Sequence, residues 1–150
     1  MTIQGIDESI TREPEMLTIA QFIDLHGITM KVRRAKPRAL DIQIWDGRKL
    51  DHWQCTLTCG QEKLPIRFSQ GTGHEGNPPE LATVLDCLAA ESTSYENAPK
   101  FEDWCSEYGY DADSRRIERV YKAVKKQSEQ LAAFLGGEAC NQLLWEVEGE

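Results

Sequence analysis

Hydrophobic and polar residues alternate along the first half of the chain in four short stretches. These stretches cover residues 28–33, 40–44, 53–57 and 64–68. Alternation places every second side chain on one face of a strand, so the pattern predicts an antiparallel meander of three to four strands. The opposite face of this sheet is polar and mainly basic. Pro65 cannot donate to a strand ladder, so we expect the last strand to lie at a sheet edge.

Helical spacing of apolar residues replaces this alternation in the second half of the chain. Apolar positions three and four residues apart fall within residues 81–88, 101–108, 117–135 and 140–147. Each of these segments predicts an amphipathic helix. Strands followed by helices favour the α+β class, with three to four helices packed on one face of the meander.

Residues typical of helix ends mark where these helices begin and stop. A short helix before the sheet has Thr18 as its cap and Gly27 as its left-handed end. For the later helices we expect caps at Asn77, at Asn97 and at Ser114 or its neighbour Asp113. The loop over residues 69–79 is rich in Gly, Asn and Pro.

A length of 150 residues fits one domain with a substantial core. We divide the chain into a flexible acidic arm (1–17), a single α+β domain (18–136) and a C-terminal helical extension (137–150). The polar N-terminus does not resemble a signal peptide, and no apolar run is long enough to span a membrane. Five cysteines in such a chain are expected as reduced thiols in a cytoplasm.

Charge is distributed unevenly along the chain, which carries a net charge of -8. Residues 80–113 hold nine acidic side chains against one basic, while residues 114–126 hold six basic side chains against one acidic. Residues 31–67 are also basic, with nine positive side chains against four negative. The net acidity argues against a simple nucleic-acid binder held by bulk attraction.

Two candidate binding surfaces follow from this distribution. The acidic candidate, which would dock on a basic partner, comprises Glu91, Glu96, Glu102, Asp103, Glu107, Asp111 and Asp113. The basic candidate, which would contact phosphates, comprises the helical stripe Arg115, Arg119, Lys122 and Lys126 together with Lys31, Arg33, Arg34, Lys36 and Arg38. The alternative is that the two surfaces neutralise each other within the fold.

No catalytic or metal-binding constellation stands out. Cys55 and Cys59 form one pair of potential ligands without a matching second pair, so buried thiols explain them better than zinc. The glycine-rich loop around His74 lacks the residues of a phosphate-binding loop. We therefore expect neither a metal, nor a cofactor, nor an enzyme activity.

Four short runs give the sequence a resemblance to known proteins. They are YENA at 95–98, FEDWC at 101–105, YGYDADSR at 108–115 and ERVY at 118–121. Together with HWQCTL at 52–57, GTGH at 71–74 and VLDCL at 84–88, they resemble a family of small, mostly uncharacterised bacteriophage and prophage proteins. The resemblance covers residues 18–136 and implies a phage origin. The YGYDADSR run also fits a purely structural role, as the corner that joins two helices.

A small acidic phage protein without catalytic residues is best interpreted as an interaction protein. Our leading hypothesis is an inhibitor of a host defence system, most concretely an anti-CRISPR protein in the host bacterial cytoplasm. It would bind a nucleic-acid-handling effector complex through acidic side chains and block access of the target. The alternative is a phage accessory protein that binds DNA or RNA through its basic residues. The apolar cluster Leu143, Leu144 and Trp145 is also a candidate homodimer surface.

Overall fold

A computed structural model describes residues 16–36, 51–70 and 76–148 of the chain. The elements in these ranges are, in order, β1 (Leu17–Thr18), α1 (Ile19–His26), β2 (Ile28–Arg34), β3 (Asp51–Cys59), β4 (Glu62–Gln70), α2 (Leu81–Asn97), α3 (Phe101–Tyr108), α4 (Arg115–Leu135), α5 (Gly137–Glu146) and β5 (Val147–Glu148). A three-stranded antiparallel sheet and five helices within these ranges confirm the predicted α+β class.

The main sheet has the strand order β2–β3–β4, and its register puts the predicted apolar positions side by side. Leu57 in the central strand pairs with Met30 on one side and Leu64 on the other. Gly60 adopts a φ of 61° in the two-residue turn between β3 and β4, a conformation that suits a residue without a Cβ atom. Pro65 lies in β4, which is at the edge of the sheet formed by the described residues, where the sequence predicted it.

The helix before the sheet is fixed at both ends by local interactions. Thr18 accepts a hydrogen bond from the backbone N–H of Gln21, and the Gln21 side chain accepts one from the backbone N–H of Thr18. This reciprocal arrangement satisfies two donors that a helix start otherwise leaves free. Gly27 ends the helix with a φ of 65°, so both predicted ends of α1 are confirmed.

Two of the predicted helix caps are wrong. Helix α2 begins at Leu81 after Glu80, and α3 begins at Phe101 after Lys100, both without a side-chain cap. Proline disfavours helical backbone in the residue before it, so Pro78 and Pro79 keep the chain extended beyond Asn77. Asn97 is instead the last residue of α2. Ser114 does cap α4, because its hydroxyl accepts from the backbone N–H of Ile117.

The helices cover the apolar face of the sheet and close the main core. This core comprises Ile19, Phe22, Ile28, Trp53, Cys55, Leu57, Leu64, Ile66, Phe68, Val84, Leu85, Leu88, Leu131, Phe134, Cys140 and Leu143. Only the C-terminal part of α4 contributes to it. The N-terminal part of α4 packs instead on a second apolar cluster shared with α3.

The C-terminal segment packs into the same core as the rest of the chain. Cys140 and Leu143 of α5 are buried there, and β5 pairs in parallel with β1 near the other end of the described chain. Leu144 is partly buried against this core, so of the candidate homodimer cluster only Trp145 stays largely exposed, at 50%. The segment that the sequence assigns to an extension is thus tied to the domain.

Several sequence-based expectations lie outside the described residues. They are most of the acidic arm, the strand over residues 40–44, Arg38 and the glycine-rich loop with His74. Within the described ranges, no helix is both long and apolar enough to cross a lipid bilayer.

Candidate interaction surfaces

Six of the seven predicted acidic residues are exposed on neighbouring parts of the helical half. Glu96 lies in the last turn of α2, Asp111 and Asp113 lie in the loop before α4, and α3 carries Glu102, Asp103 and Glu107. We call these six residues the acidic surface. None of them makes an ion pair within 4.0 Å among the described residues, so their charges face solvent.

An aromatic cluster beneath the acidic surface holds α3 against α4. Trp104 is only 3% exposed, and its ring packs on Tyr121 at 5.4 Å between centroids. The Trp104 indole N–H donates to the hydroxyl of Ser94, and the Tyr121 hydroxyl donates to the backbone oxygen of Pro99. Buried aromatic rings with satisfied polar atoms give the acidic surface a rigid base.

The loop that carries the last two carboxylates is fixed by its own hydrogen bonds. Gly109 ends α3 with a φ of 78°, and the backbone N–H of Tyr110 donates to the oxygen of Cys105 at 2.9 Å. Asp111 then accepts from the backbone N–H of Asp113 at 2.9 Å. The acidic side chains are therefore presented on ordered backbone, which lowers the entropy lost on binding.

Two tyrosines at the edge of this loop were not identified from the sequence. Tyr108 and Tyr110 are 38% and 37% exposed, and both rings pack against Trp104, at 6.2 and 4.9 Å between centroids. Tyrosine is enriched at the centres of protein interfaces because one end of its ring is apolar and the other is polar. The helical spacing of apolar residues over 101–108 includes Tyr108 in the apolar stripe of its helix, so that pattern did not reveal this exposure.

The carboxylates also affect the thiol beneath them. Burial raises the pKa of Cys105, and the negative charges of Glu102 and Asp111 raise it further. The cysteine is 2% exposed and lies in the cluster with Trp104. Such a thiol stays protonated at neutral pH and is a poor nucleophile.

Glu91 is separated from the other six acidic residues. Its carboxylate accepts a hydrogen bond from the side-chain N–H of Gln127 at 2.7 Å, between α2 and α4. Burial raises the pKa of Glu91 to about 7, and the bond from Gln127 only partly offsets this effect. A carboxyl group in this position contributes little negative charge to an exposed binding surface.

The predicted basic stripe of α4 is exposed along its length. Arg115, Arg119, Lys122 and Lys126 are all on the side of the helix opposite its buried residues. We call these four residues the basic stripe. Lys122 lies 3.8 Å from Glu118 one turn away, while the other three have no carboxylate within 4.0 Å among the described residues. An exposed ion pair of this kind is weak, so most of the positive charge of the basic stripe remains available to bind a partner.

The basic residues of β2 do not form one surface. Arg33 is exposed on the polar face of the sheet with Lys31, whereas Arg34 is on the opposite face. The Arg34 guanidinium lies 3.1 Å from the Asp51 carboxylate and 4.5 Å from the centre of the Trp53 ring. The sequence-based grouping of Arg33 with Arg34 is therefore wrong, because neighbouring strand residues point in opposite directions.

A small cavity lies between α2, α4 and β4. A cavity of about 20 Å³, lined by Glu91, Gln127, Cys87 and neighbouring residues of β4, has room for one water molecule. No group of three or more His, Cys, Asp or Glu side chains within the described ranges is arranged to hold a metal ion. Cys55 and Cys59 are free thiols, and the first of them is fully buried.

No ion pair within 4.0 Å joins the basic stripe to the acidic surface in the part of the chain that the structure describes. The pairs between described residues include Arg34 with Asp51 and Lys122 with Glu118, and neither links the two surfaces. Internal neutralisation, the alternative to a binding role, therefore does not occur through direct contact among these residues.

Comparisons with protein-family models, curated proteins and solved structures find no match.

Proposed function

We propose that this protein is a phage-encoded interaction protein that inhibits a host defence system, most concretely as an anti-CRISPR protein. Its acidic surface would bind a basic nucleic-acid-binding site of an effector complex in the host bacterial cytoplasm. Binding there blocks access of the target by charge and shape, without a chemical step. The observation that carries this proposal is the set of six exposed carboxylates without an ion-pair partner among the described residues.

The electrostatics of the acidic surface support this mode of binding. A nucleic-acid channel is lined with Lys and Arg side chains, whose positive potential extends several ångströms from the surface. Carboxylates on a rigid helix and loop present negative charge to that channel as phosphates do. Such charge complementarity raises the rate at which the two proteins associate and favours a basic partner over other proteins. The exposed rings of Tyr108 and Tyr110 supply apolar contact area.

Affinity capture with a tagged protein tests this proposal. The tagged chain is expressed in a bacterial host that carries CRISPR and other defence systems, and the lysate is treated with nuclease before capture. We expect one stoichiometric protein complex that handles nucleic acid. Recovery of nucleic acid alone from an untreated lysate, without a protein partner, would contradict the proposal.

The second candidate function is binding of DNA or RNA, and the basic stripe favours it. Four exposed cations on one helix face are free to contact successive phosphates, with Lys31 and Arg33 as a separate basic group on the sheet. Phosphate contacts of this kind release counterions, so affinity falls steeply as the salt concentration rises.

Mobility-shift titrations with single- and double-stranded DNA and RNA distinguish this second function. Replacing the four stripe residues by Gln should weaken binding and reduce the slope of log K against log salt by about 3 to 4. The double variant Lys31→Gln/Arg33→Gln measures separately how much the basic group on the sheet contributes to nucleic-acid binding. Absence of any shift at low salt would rule out this function.

A further inference from the structure

The main sheet has a second face, which points away from the buried core. It is formed by the odd-numbered positions of β2 (29–33) and β4 (63–69) and by the even-numbered positions of β3 (52–58), because side chains alternate between the two faces of a strand. We call this surface the outer sheet face. The register aligns its residues in rows across the sheet, and one row joins Arg33, Gln54 and Arg67.

The outer sheet face carries positive charge and, in the three described strands, no Asp or Glu side chain. Lys31, Arg33 and Lys63 are exposed, and none of them has a carboxylate within 4.0 Å among the described residues. Arg67 is partly buried and donates to the backbone oxygen of Lys36. A chain with a net charge of -8 thus concentrates unpaired positive charge on one side of its sheet.

The sheet holds these cations at regular separations. Lys31 and Arg33 are two residues apart on β2, so their Cα atoms lie about 7 Å apart along the strand. Strands β2 and β4 flank β3, so cations on the two outer strands lie about 10 Å apart across the sheet. Between them, Thr56 and Thr58 of β3 supply hydroxyl groups, which commonly donate to phosphate oxygens.

We infer that the outer sheet face binds the phosphate backbone of double-stranded DNA without reading its sequence. Duplex DNA carries one negative charge per about 1.7 Å of its axis, against about 3.4 Å for one strand alone. Proteins hold single strands and unpaired RNA bases by stacking them on aromatic rings. No Phe, Tyr or Trp occupies the outer sheet face in the described strands, so its chemistry fits the duplex better.

An acidic protein is a poorer match for this surface than a nucleic-acid backbone. The centres of protein interfaces are depleted of charged residues and enriched in aromatic ones. In the described strands the outer sheet face offers only Pro65 as an exposed apolar side chain. Charged and hydroxyl groups without an apolar centre are the groups that contact phosphates.

The outer sheet face is separate from the two helical surfaces. The C-terminal part of α4 packs on the opposite, apolar face of the sheet, so the core lies between the basic stripe and the outer sheet face. The inference shares only the chemistry of phosphate contact with the second candidate function. It does not depend on the acidic surface, so affinity capture of an effector complex tests a different claim.

Titration of a labelled DNA duplex between about 0.05 M and about 0.2 M salt, followed by fluorescence anisotropy, gives the first test. The sheet variant is Lys31→Gln/Arg33→Gln/Lys63→Gln. It loses three phosphate contacts, so the slope of log K against log salt should become less steep by about 3. A single strand of the same sequence should bind the unchanged protein more weakly, whereas a duplex of different sequence should bind equally well.

The matched control is Lys100→Gln/Arg116→Gln/Lys125→Gln, which neutralises three exposed cations of the helical half. It has the same net charge as the sheet variant and should retain the slope of the unchanged protein. Circular dichroism establishes that each variant is folded. Equal effects of the two variants would show that only net charge matters and would overturn the inference.

Neutralising the basic stripe separates this inference from the second candidate function. A variant with Arg115, Arg119, Lys122 and Lys126 changed to Gln should still bind the duplex through the outer sheet face. If this variant lost binding while the sheet variant kept it, the inference would fail and the second candidate function would stand. If the unchanged protein bound no duplex at low salt, both would fail.

Acetylation footprinting of the unchanged protein gives a test that needs no variant. Duplex DNA should slow the acetylation of Lys31 and Lys63 but leave the rate at Lys100 unchanged. Equal rates with and without the duplex would contradict contact at this face. Tighter binding of single-stranded DNA or duplex RNA, or competition by polyglutamate as effective as that by the duplex, would also overturn the inference.

Discussion

Glu91 and Gln127 form a hydrogen bond of 2.7 Å that joins α2 to α4 beside a small cavity. Burial raises the pKa of the Glu91 carboxyl to about 7, from an ordinary value of 4.5. The folded protein thus retains a proton on this group at pH values where the unfolded chain has released it. Stability is linked to pH through this difference.

The first prediction concerns this pH dependence. The contribution of Glu91 to stability is fully present below pH 4.5 and is lost as the pH rises through about 7. A shift of this size corresponds to a loss of about 3 kcal/mol in the free energy of unfolding. Glu91→Gln keeps an acceptor for Gln127 but cannot ionise, so the variant should not show this loss.

Urea denaturation at several pH values between 4.5 and 8 measures the effect. The matched control is Glu129→Gln, which removes an exposed carboxylate from α4 and should retain the pH dependence of the unchanged protein. If Glu91→Gln lost as much stability across this range as the unchanged protein, the assigned burial of Glu91 would be wrong.

The second prediction concerns the start of α1. Thr18→Ala removes the hydroxyl that accepts from the N–H of Gln21 and should lower the free energy of unfolding by about 1 kcal/mol. Thr18→Ser keeps a hydroxyl at the same position, so its free energy of unfolding should fall much less. Thermal or urea unfolding compares the two, and equal losses would show that the cap does not stabilise the helix.

The third prediction concerns the aromatic cluster under the acidic surface. Trp104→Ala leaves a cavity between α3 and α4 and should destabilise the fold by about 3 to 5 kcal/mol. Tyr108→Phe removes only an exposed hydroxyl from the same helix and should unfold like the unchanged protein. Equal stability of the two variants would contradict the packing role of Trp104.

The fourth prediction concerns cysteine reactivity. Burial raises the pKa of both Cys55 and Cys87 to about 11, so few thiolates form at neutral pH. Brief treatment with iodoacetamide followed by mass spectrometry should therefore leave both residues largely unmodified in the folded protein. Both should react after denaturation. Rapid modification of Cys55 without unfolding would contradict its burial.

Local signals explain most of the agreement between sequence and fold. The ends of α1 at Thr18 and Gly27 follow from side-chain and backbone chemistry within four residues, and so does the cap of α4 at Ser114. Alternation in the strands is equally local. The cap expected at Asn97 fails because α2 continues through this residue and α3 begins only at Phe101, after Lys100.

The candidate site was less predictable, because the remaining differences depend on tertiary packing. The approach of Gln127 buries Glu91, and residues far apart in the sequence determine this approach. The pairing of Arg34 with Asp51 likewise needs the register of two strands. A count of charges along the chain does not distinguish such residues from those that face solvent.

The central claim is that exposed carboxylates bind a basic partner, and charge reversal tests it most directly. The test variant changes Glu96, Glu102, Glu107 and Asp111 to Lys. The control variant changes Asp24, Glu62, Glu129 and Glu146 to Lys, which shifts the net charge equally at other exposed positions.

Plating of a targeted phage on CRISPR-immune cells that express each variant measures inhibition. We expect the control variant to protect the phage as the unchanged protein does, and the test variant to lose protection and the captured complex. Undiminished protection by a folded test variant would contradict the acidic-surface mechanism.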